Sequence, residues 1–327
     1  MLRMPEFQYH APRTAADAVA AWHDNAEGGG AMYVAGGTDL LPNIKHRLFT
    51  PAHVIGLTGL PKGGVTDAGD HLLIDAGVTL DALSRDPLVC SLLPPLAEAA
   101  GLVAGPQIRR MGTLGGNILL DTRCLFYNQT HFWRQALGYC LKKEGTWCHV
   151  INGPKTCVAA QSADTVPVLL ALDASIVLLG PDGEREVGLR DLYRFNGMDH
   201  LKLSKGELLT QVRIPRPAAG FKGRFQKLRM RGAIDFPQIN VAVTGTFDGP
   251  TPTALTIVVG AANPQPKPIN GLDAFLGRPL DESAIDAIAA LVHKRTRPQE
   301  AIQGDPGWRR HMASVFARRA LVEMVTG

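Results

Sequence analysis

The chain has 327 residues, 45% of them hydrophobic and 20% charged, with a formal net charge of +4. That balance excludes a disordered or fibrous protein, and so small a charge leaves no electrostatic footprint for nucleic-acid binding. The length exceeds that at which single cores stop growing, so two or three subdomains are expected. The opening MLRMPEFQYHAPRTAADAV lacks the apolar run of a signal peptide, and no stretch of about 18 apolar residues occurs. A cytoplasmic protein is expected; thiols stay reduced there, so clustered cysteines favour metal or catalysis over disulfides.

Residues 7–10 read as a strand, and Thr14 opens a helix through AADAVAAWHD that the glycines at 28–30 close. Residues 31–35 form a second strand, Gly36 and Gly37 a tight loop, and Thr38 caps a short helix over residues 39–47. Residues 53–60 add a third strand to this small α/β unit. A glycine pair between strand and helix lets backbone N–H groups approach a phosphate closely, though alone it reads first as a turn. Neither the G-x-G-x-x-G nor the G-x-x-x-x-G-K-[ST] spacing is present, so neither a Rossmann fold nor a P-loop is indicated.

A second α/β region starts near Gly63, with HLLIDAGVTL as a strand and helix from about Leu80 through Ser91 and on to Val103. Cys90, in this apolar context, reads as a packed core thiol. Thr113, Gly115, Gly116 and Asn117 then form a second glycine-pair loop. Two such loops fit a long ligand carrying a pyrophosphate; two structural turns remain the alternative. Further on come a helix from about Asp164 to Leu172, strands over 174–179 and 207–214, and the linker PRPAAG, which ends this part near Pro217. GRFQKLRMR, NVAVTGTF and TALTIVVGAAN suggest a three-stranded antiparallel meander, and the pattern turns helical from Gly271 to WRRHMASVFARRALVEMV.

The segment 121–160 differs from both flanks. Cys124, Cys140, Cys148 and Cys157 are separated by fifteen, seven and eight residues, and five basic residues against two acidic ones give the segment +3 of charge. It also holds six of the chain's twenty aromatic residues, enough for a small core around a centre. Four gathered thiols suggest a four-ligand metal site. Their wide gaps match neither the close cysteine pairs of structural zinc sites nor the common ferredoxin motifs, and His131 and His149 could compete as ligands. Iron–sulfur, zinc and unliganded thiols all stay open on spacing alone.

AGGTDLLP at 35–42, TLGGN at 113–117, SADTVPVLLALDA at 162–174 and KLRMRGAIDFPQINVAV at 227–243 occur in the order seen in flavoprotein subunits of the xanthine oxidase and carbon monoxide dehydrogenase family, which the whole chain resembles. The resemblance implies an α+β fold: a PCMH-type FAD-binding domain of two α/β subdomains (1–60 and 61–217, with the cysteine insertion at 121–160), then a C-terminal domain (222–327) with a three-stranded antiparallel sheet and helices. It implies FAD contacts from Ala35, Gly36, Gly37, Thr38, Asp39, Thr113, Gly115, Gly116, Asn117, Asp164 and Lys227. Thr38 stands where the family commonly has Gln or His. The insertion resembles that of the 4-hydroxybenzoyl-CoA reductase branch, where four cysteines hold a [4Fe–4S] cluster, implying Cys124, Cys140, Cys148 and Cys157 as ligands.

The implied function is electron transfer. Electrons would pass from ferredoxin through the cluster and FAD to partner subunits carrying two [2Fe–2S] clusters and the molybdenum cofactor, in a dimer of heterotrimers, for reductive ring dehydroxylation. The basic segment would dock the acidic ferredoxin. Alternatives are the FAD subunit of an aromatic or heterocycle molybdenum hydroxylase passing electrons outward, and a zinc-stapled interaction module without redox function. No acid–base pair or acylating nucleophile stands out, so no catalytic residue is expected, and neither is a nucleic-acid or membrane partner.

Overall fold

Three sheets succeed one another along the chain in a computed structural model that describes residues 2–27, 29–153 and 155–326. The first is parallel, with Gln8–His10 and Ala31–Val34 flanking the central His53–Gly56. The crossover helix Ala15–Asp24 starts where Thr14 Oγ1 accepts the Asp17 N–H, satisfying one of the donors a helix start leaves unpaired. Its Ala18 and Val19 are buried with Ile55 and Leu208. Of the glycines expected to close it, Gly29 and Gly30 have positive φ and Gly28 lies outside the described residues.

The middle sheet is antiparallel throughout, in the order Val65–Asp67, His71–Asp75, Leu208–Pro215, Ser175–Gly180, Gly183–Gly188. Its central strand comes last in sequence, so residues 76–174 make one long excursion between neighbouring parts of the sheet, and both the second glycine pair and the cysteine segment lie on it. Leu96 and Ala99 of helix Pro94–Gly101 and Leu169 of helix Thr165–Ala171 pack on Ile74, Ile176 and Val212, all without exposure.

The third sheet runs Phe221–Leu228, Ile239–Asp248, Thr251–Gly260, with Lys267–Pro268 as a short fourth strand beyond the expected three. Strand alternation divides its side chains between two cores. Ile239, Val241 and Val243 face helices Glu282–Arg295 and Pro306–Thr326, whereas Phe225, Ala242 and Val258 join the core of the middle sheet. Burial on both faces explains why these strands read as nearly continuous apolar runs.

Several local expectations are corrected. The stretch from Leu80 is three short helices, Leu80–Leu83, Pro87–Leu92 and Pro94–Gly101, because Pro87 and Pro94 favour a first helical turn and cannot continue a preceding one. Cys90 is exposed rather than packed. TLGGN is a helical turn, Leu114–Ile118, capped by Thr113 Oγ1 on the Gly116 N–H at 3.1 Å. Thr38 caps nothing: the helix is Leu40–Lys45, and Asp39 occupies its N-cap without a side-chain cap bond. Among the described residues no helix is long and apolar enough to cross a membrane.

Candidate functional site

A cavity of about 860 Å³ opens between the first two sheets. Its wall brings together Ala35, Gly36, Gly37, Thr38, Asp39, Thr113, Gly115, Gly116, Asn117 and Asp164. The two glycine segments meet on one side of it instead of standing at opposite ends: a Cβ on Gly36 would lie 1.8 Å from the Met111 carbonyl oxygen. They also differ in kind. The N–H groups of Gly36, Gly37, Thr38 and Asp39 donate to no acceptor among the described residues, leaving four donors for an anionic ligand. In the second segment the Gly115 N–H donates to Ala76 O at 2.8 Å and that of Gly116 to Thr113 Oγ1. Gly115 is there for packing, since a Cβ would stand 2.9 Å from that of Ala76.

Asn117, at the end of this turn, accepts at Oδ1 from Thr165 Oγ1 at 2.6 Å, which leaves its amide N–H₂ available. Asp164 is buried and pairs with Lys227 Nζ at 2.5 Å, while Asn240 Nδ2 donates to its other oxygen at 3.1 Å. Burial raises the Asp164 pKa and the Lys227 ammonium pulls it down. Lys227, expected beside the flavin, does not line the cavity; it donates also to Leu102 O at 3.0 Å and stands behind Asp164.

Two wall residues escaped the sequence reading. Arg123 pairs with Asp39 and lies over the Phe236 ring, 4.3 Å from its centroid, with its pKa lowered to about 10 by burial. Asp121 lies on the same wall. Their position immediately before Cys124 was the available signal.

That junction leads into the cysteine segment. Arg123 and Ala160 exchange both backbone hydrogen bonds, at 2.7 and 2.8 Å, so the cysteine segment is pinched shut at its base. Within it Cys124, Cys140, Cys148 and Cys157 all line one small pocket of about 20 Å³, with Phe126, Leu141, Val150 and Val158 around them. This is room for about one water. Among the described residues no three His, Cys, Asp or Glu side chains are grouped to hold a single metal ion. A zinc ion needs its four sulfurs about 2.3 Å from one point, whereas a cluster distributes them over several irons.

Burial pushes the Cys124 thiol up to about 12 and raises that of Cys157. Such thiols are poor nucleophiles as free groups, while a coordinating metal would deprotonate them. The Ala159 N–H donates to Cys157 Sγ at 3.3 Å, a bond that favours the thiolate. His149 lines the pocket, with Nε2 donating to Tyr139 O at 2.6 Å; His131 does not line it.

The segment's surface is unlike its composition. Arg123, Arg134 and Lys142 are turned inward, so the positive excess is not a basic face. Phe132, Trp133 and Trp147 point outward at 80, 38 and 55% exposure, so the aromatic residues do not form the closed shell expected of them.

The family described as the FAD binding domain in molybdopterin dehydrogenase matches residues 5–217, and that described as the CO dehydrogenase flavoprotein C-terminal domain matches residues 224–324. The carbon monoxide dehydrogenase medium chain of Afipia carboxidovorans is 32% identical over 320 residues, 96% of this chain and 95% of its own length. The aldehyde oxidoreductase FAD-binding subunit PaoB of Escherichia coli is 32% identical over 81% of this chain and 84% of its own. A structure of reconstituted CO dehydrogenase from Oligotropha carboxidovorans superposes with a TM-score of 0.80 at 29% identity, over 99% of each chain. Fold and cavity therefore define an FAD-binding protein. The chain belongs to the xanthine oxidase and carbon monoxide dehydrogenase family, as an FAD-binding medium subunit.

Proposed function

We propose that the chain is the electron-transfer flavoprotein subunit of a molybdenum-containing complex of the 4-hydroxybenzoyl-CoA reductase type, holding FAD in the large cavity and a [4Fe–4S] cluster on Cys124, Cys140, Cys148 and Cys157. The observation that carries this reading is the convergence of four thiols, spread over more than thirty residues, on one pocket whose base abuts the cavity. Bound FAD exchanges one or two electrons and so links one-electron clusters to a two-electron centre.

The residues have binding and positioning roles. The free N–H groups of residues 36–39 would take the pyrophosphate, and Asn117 and Asp164, which line the same cavity, would hold the ligand by hydrogen bonds. Lys227 would act through Asp164. Partner chains would be a large molybdenum-cofactor subunit and a small [2Fe–2S] subunit in a dimer of heterotrimers, with ferredoxin as donor in the cytoplasm. The inward basic residues remove the electrostatic case for ferredoxin docking on this segment; the exposed surface is aromatic.

A second reading sends electrons outward, from oxidation of an aromatic or heterocyclic substrate in the large subunit to an acceptor. It is favoured by relatives that are named a dehydrogenase and an aldehyde oxidoreductase. Purification of the complex from its host, metal analysis and assay with 4-hydroxybenzoyl-CoA and reduced ferredoxin test both readings. About four irons and four labile sulfides per chain are expected beyond those of the small subunit. One zinc per chain in their place would instead support the stapled module, and an iron-loaded complex inactive in that assay would favour the outward reading.

A further inference from the structure

Between the flavin cavity and the cysteine pocket stands an ion pair to which neither site assigns a role. Lys142 lines the cysteine pocket with a side chain only 6% exposed. Its ammonium donates to Asp121 Oδ1 at 2.6 Å, to Thr122 Oγ1 at 2.6 Å and to Thr122 O at 3.2 Å, and lies 4.2 Å from the centroid of the Tyr127 ring. Asp121 lies on the wall of the flavin cavity, and its second oxygen, Oδ2, is buried without a partner among the described residues. Thr122 Oγ1 donates in turn to Gly197 O at 2.7 Å, and Gly197 packs so closely on Cys157 that a Cβ would stand 2.9 Å from Sγ. The charges are thus ordered, with the cation towards the cysteines and the anion towards the flavin.

A buried ion pair contributes little net stability over apolar side chains of the same volume, so packing alone gives no reason for this one. Its order has an electrostatic effect. One electron entering a thiolate-bound cluster adds one negative charge, with no bond made or broken, and its onward transfer removes that charge. In a region of low dielectric a fixed ammonium nearby stabilises the reduced form, and a carboxylate facing the flavin disfavours negative charge there. Lys142 lines the same pocket as the four cysteines, so its charge faces any centre they hold.

We propose that Lys142 and Asp121 are positioning residues for electron transfer, the ammonium raising the potential of the cysteine-bound centre and the carboxylate lowering that of the flavin. This rests on the cluster reading given above. The pair narrows the gap between a low-potential entry centre and FAD, and its two members act with opposite sign.

The test is a dithionite titration of the complex purified from its host, with the cluster followed by electron paramagnetic resonance and the flavin by its visible bands. Wild type is compared with Lys142→Gln, Lys142→Arg and Asp121→Asn, with iron and sulfide counted in each. Lys142→Gln should shift the cluster equilibrium about tenfold or more against reduction, ~59 mV downward for one electron. Lys142→Arg should restore most of that shift. Asp121→Asn, in which Thr122 still holds the ammonium, should move both the cluster and flavin potentials upward. Unmoved potentials, or shifts of the same sign in Lys142→Gln and Asp121→Asn, overturn the proposal. If Lys142→Gln fails to assemble, the sign in Asp121→Asn decides. Wild-type complex without iron in this chain overturns the cluster reading and this proposal with it, whereas a full iron count with unmoved potentials overturns this proposal alone.

Discussion

Asp164 and Lys227 are exposed by 3 and 1%, so each depends on the other for its charge. Removing one partner of such a pair costs about 3–5 kcal/mol, while replacing both by apolar groups is often close to neutral. Lys227→Met is expected to lower stability in denaturant by that amount, and Asp164→Leu/Lys227→Met to recover a large part of it while losing FAD affinity through the missing Asp164. At Gly36 the limit is steric. A methyl group there collides with the Met111 carbonyl, so Gly36→Ala should force the two segments apart and leave purified protein largely without flavin, read as the ratio of visible to ultraviolet absorbance. His200 supplies a pH dependence. Burial lowers its pKa from 6.5, and Nε2 donates to Leu120 O at 3.0 Å. The unfolded chain therefore binds the proton first. The stability from neutral His200 is whole above pH 6.5 and is lost as the pH falls from there towards its depressed native pKa. His200→Gln should flatten the fall of melting temperature over that interval.

The cysteine segment is held as an element by contacts that its spacing could not reveal. Arg134 of helix His131–Ala136 is 1% exposed, and its guanidinium donates to His46 O at 3.0 Å, Arg47 O at 3.1 Å and Gln129 O at 3.3 Å. Two of these carbonyls end the helix that follows the first glycine loop, so the segment is fastened to the element that positions the four free N–H groups. Hydrogen bonds to a charged donor are worth about 1.5–3 kcal/mol each. Arg134→Met should open the segment to limited proteolysis near residues 130–145 well before the rest of the chain, with FAD retained in the nicked protein. What was legible beforehand was local: Thr14 as a cap, the four cysteines as one group, and the glycine pairs as tight backbone; the cap at Thr113 was missed, and the one expected at Thr38 is absent. Composition counted Arg123, Arg134 and Lys142 as a surface charge, because a basic side chain turned inward towards carbonyls and carboxylates looks the same in sequence as one in water. The edge strand Gly183–Gly188 escaped for the converse reason: its residues GEREVG are mostly exposed and show no apolar alternation.

Across the whole molecule the third sheet decides how the parts cohere. Because Phe225, Ala242 and Val258 lie in the core of the middle sheet while Ile239, Val241 and Val243 lie under the last two helices, neither core is complete without that sheet. The segment boundary near residue 220, evident in PRPAAG, is thus a boundary in chain connectivity and not in packing. Arg309 extends the same coupling. Its guanidinium is fully buried and donates to Gln238 O at 2.7 Å, Gln299 O at 2.7 Å and Ala261 O at 2.8 Å. The loop it holds continues to Ala301, whose carbonyl accepts the Leu125 N–H at 2.8 Å, one residue beyond the first cysteine. The C-terminal helices thereby help fix the base of the cysteine pocket from the far side of the third sheet. Arg309→Met leaves the buried carbonyls of Gln238 and Ala261 without their donor, at about 1–3 kcal/mol for each, and frees the half-buried one of Gln299. The expected result is a single cooperative transition moved down by several degrees, at roughly 2–4 °C per kcal/mol for a large domain, with flavin release and loss of helical signal at the same temperature. Two separate transitions, the flavin leaving with only the first, would show that the two cores unfold independently and that the shared sheet does not couple them.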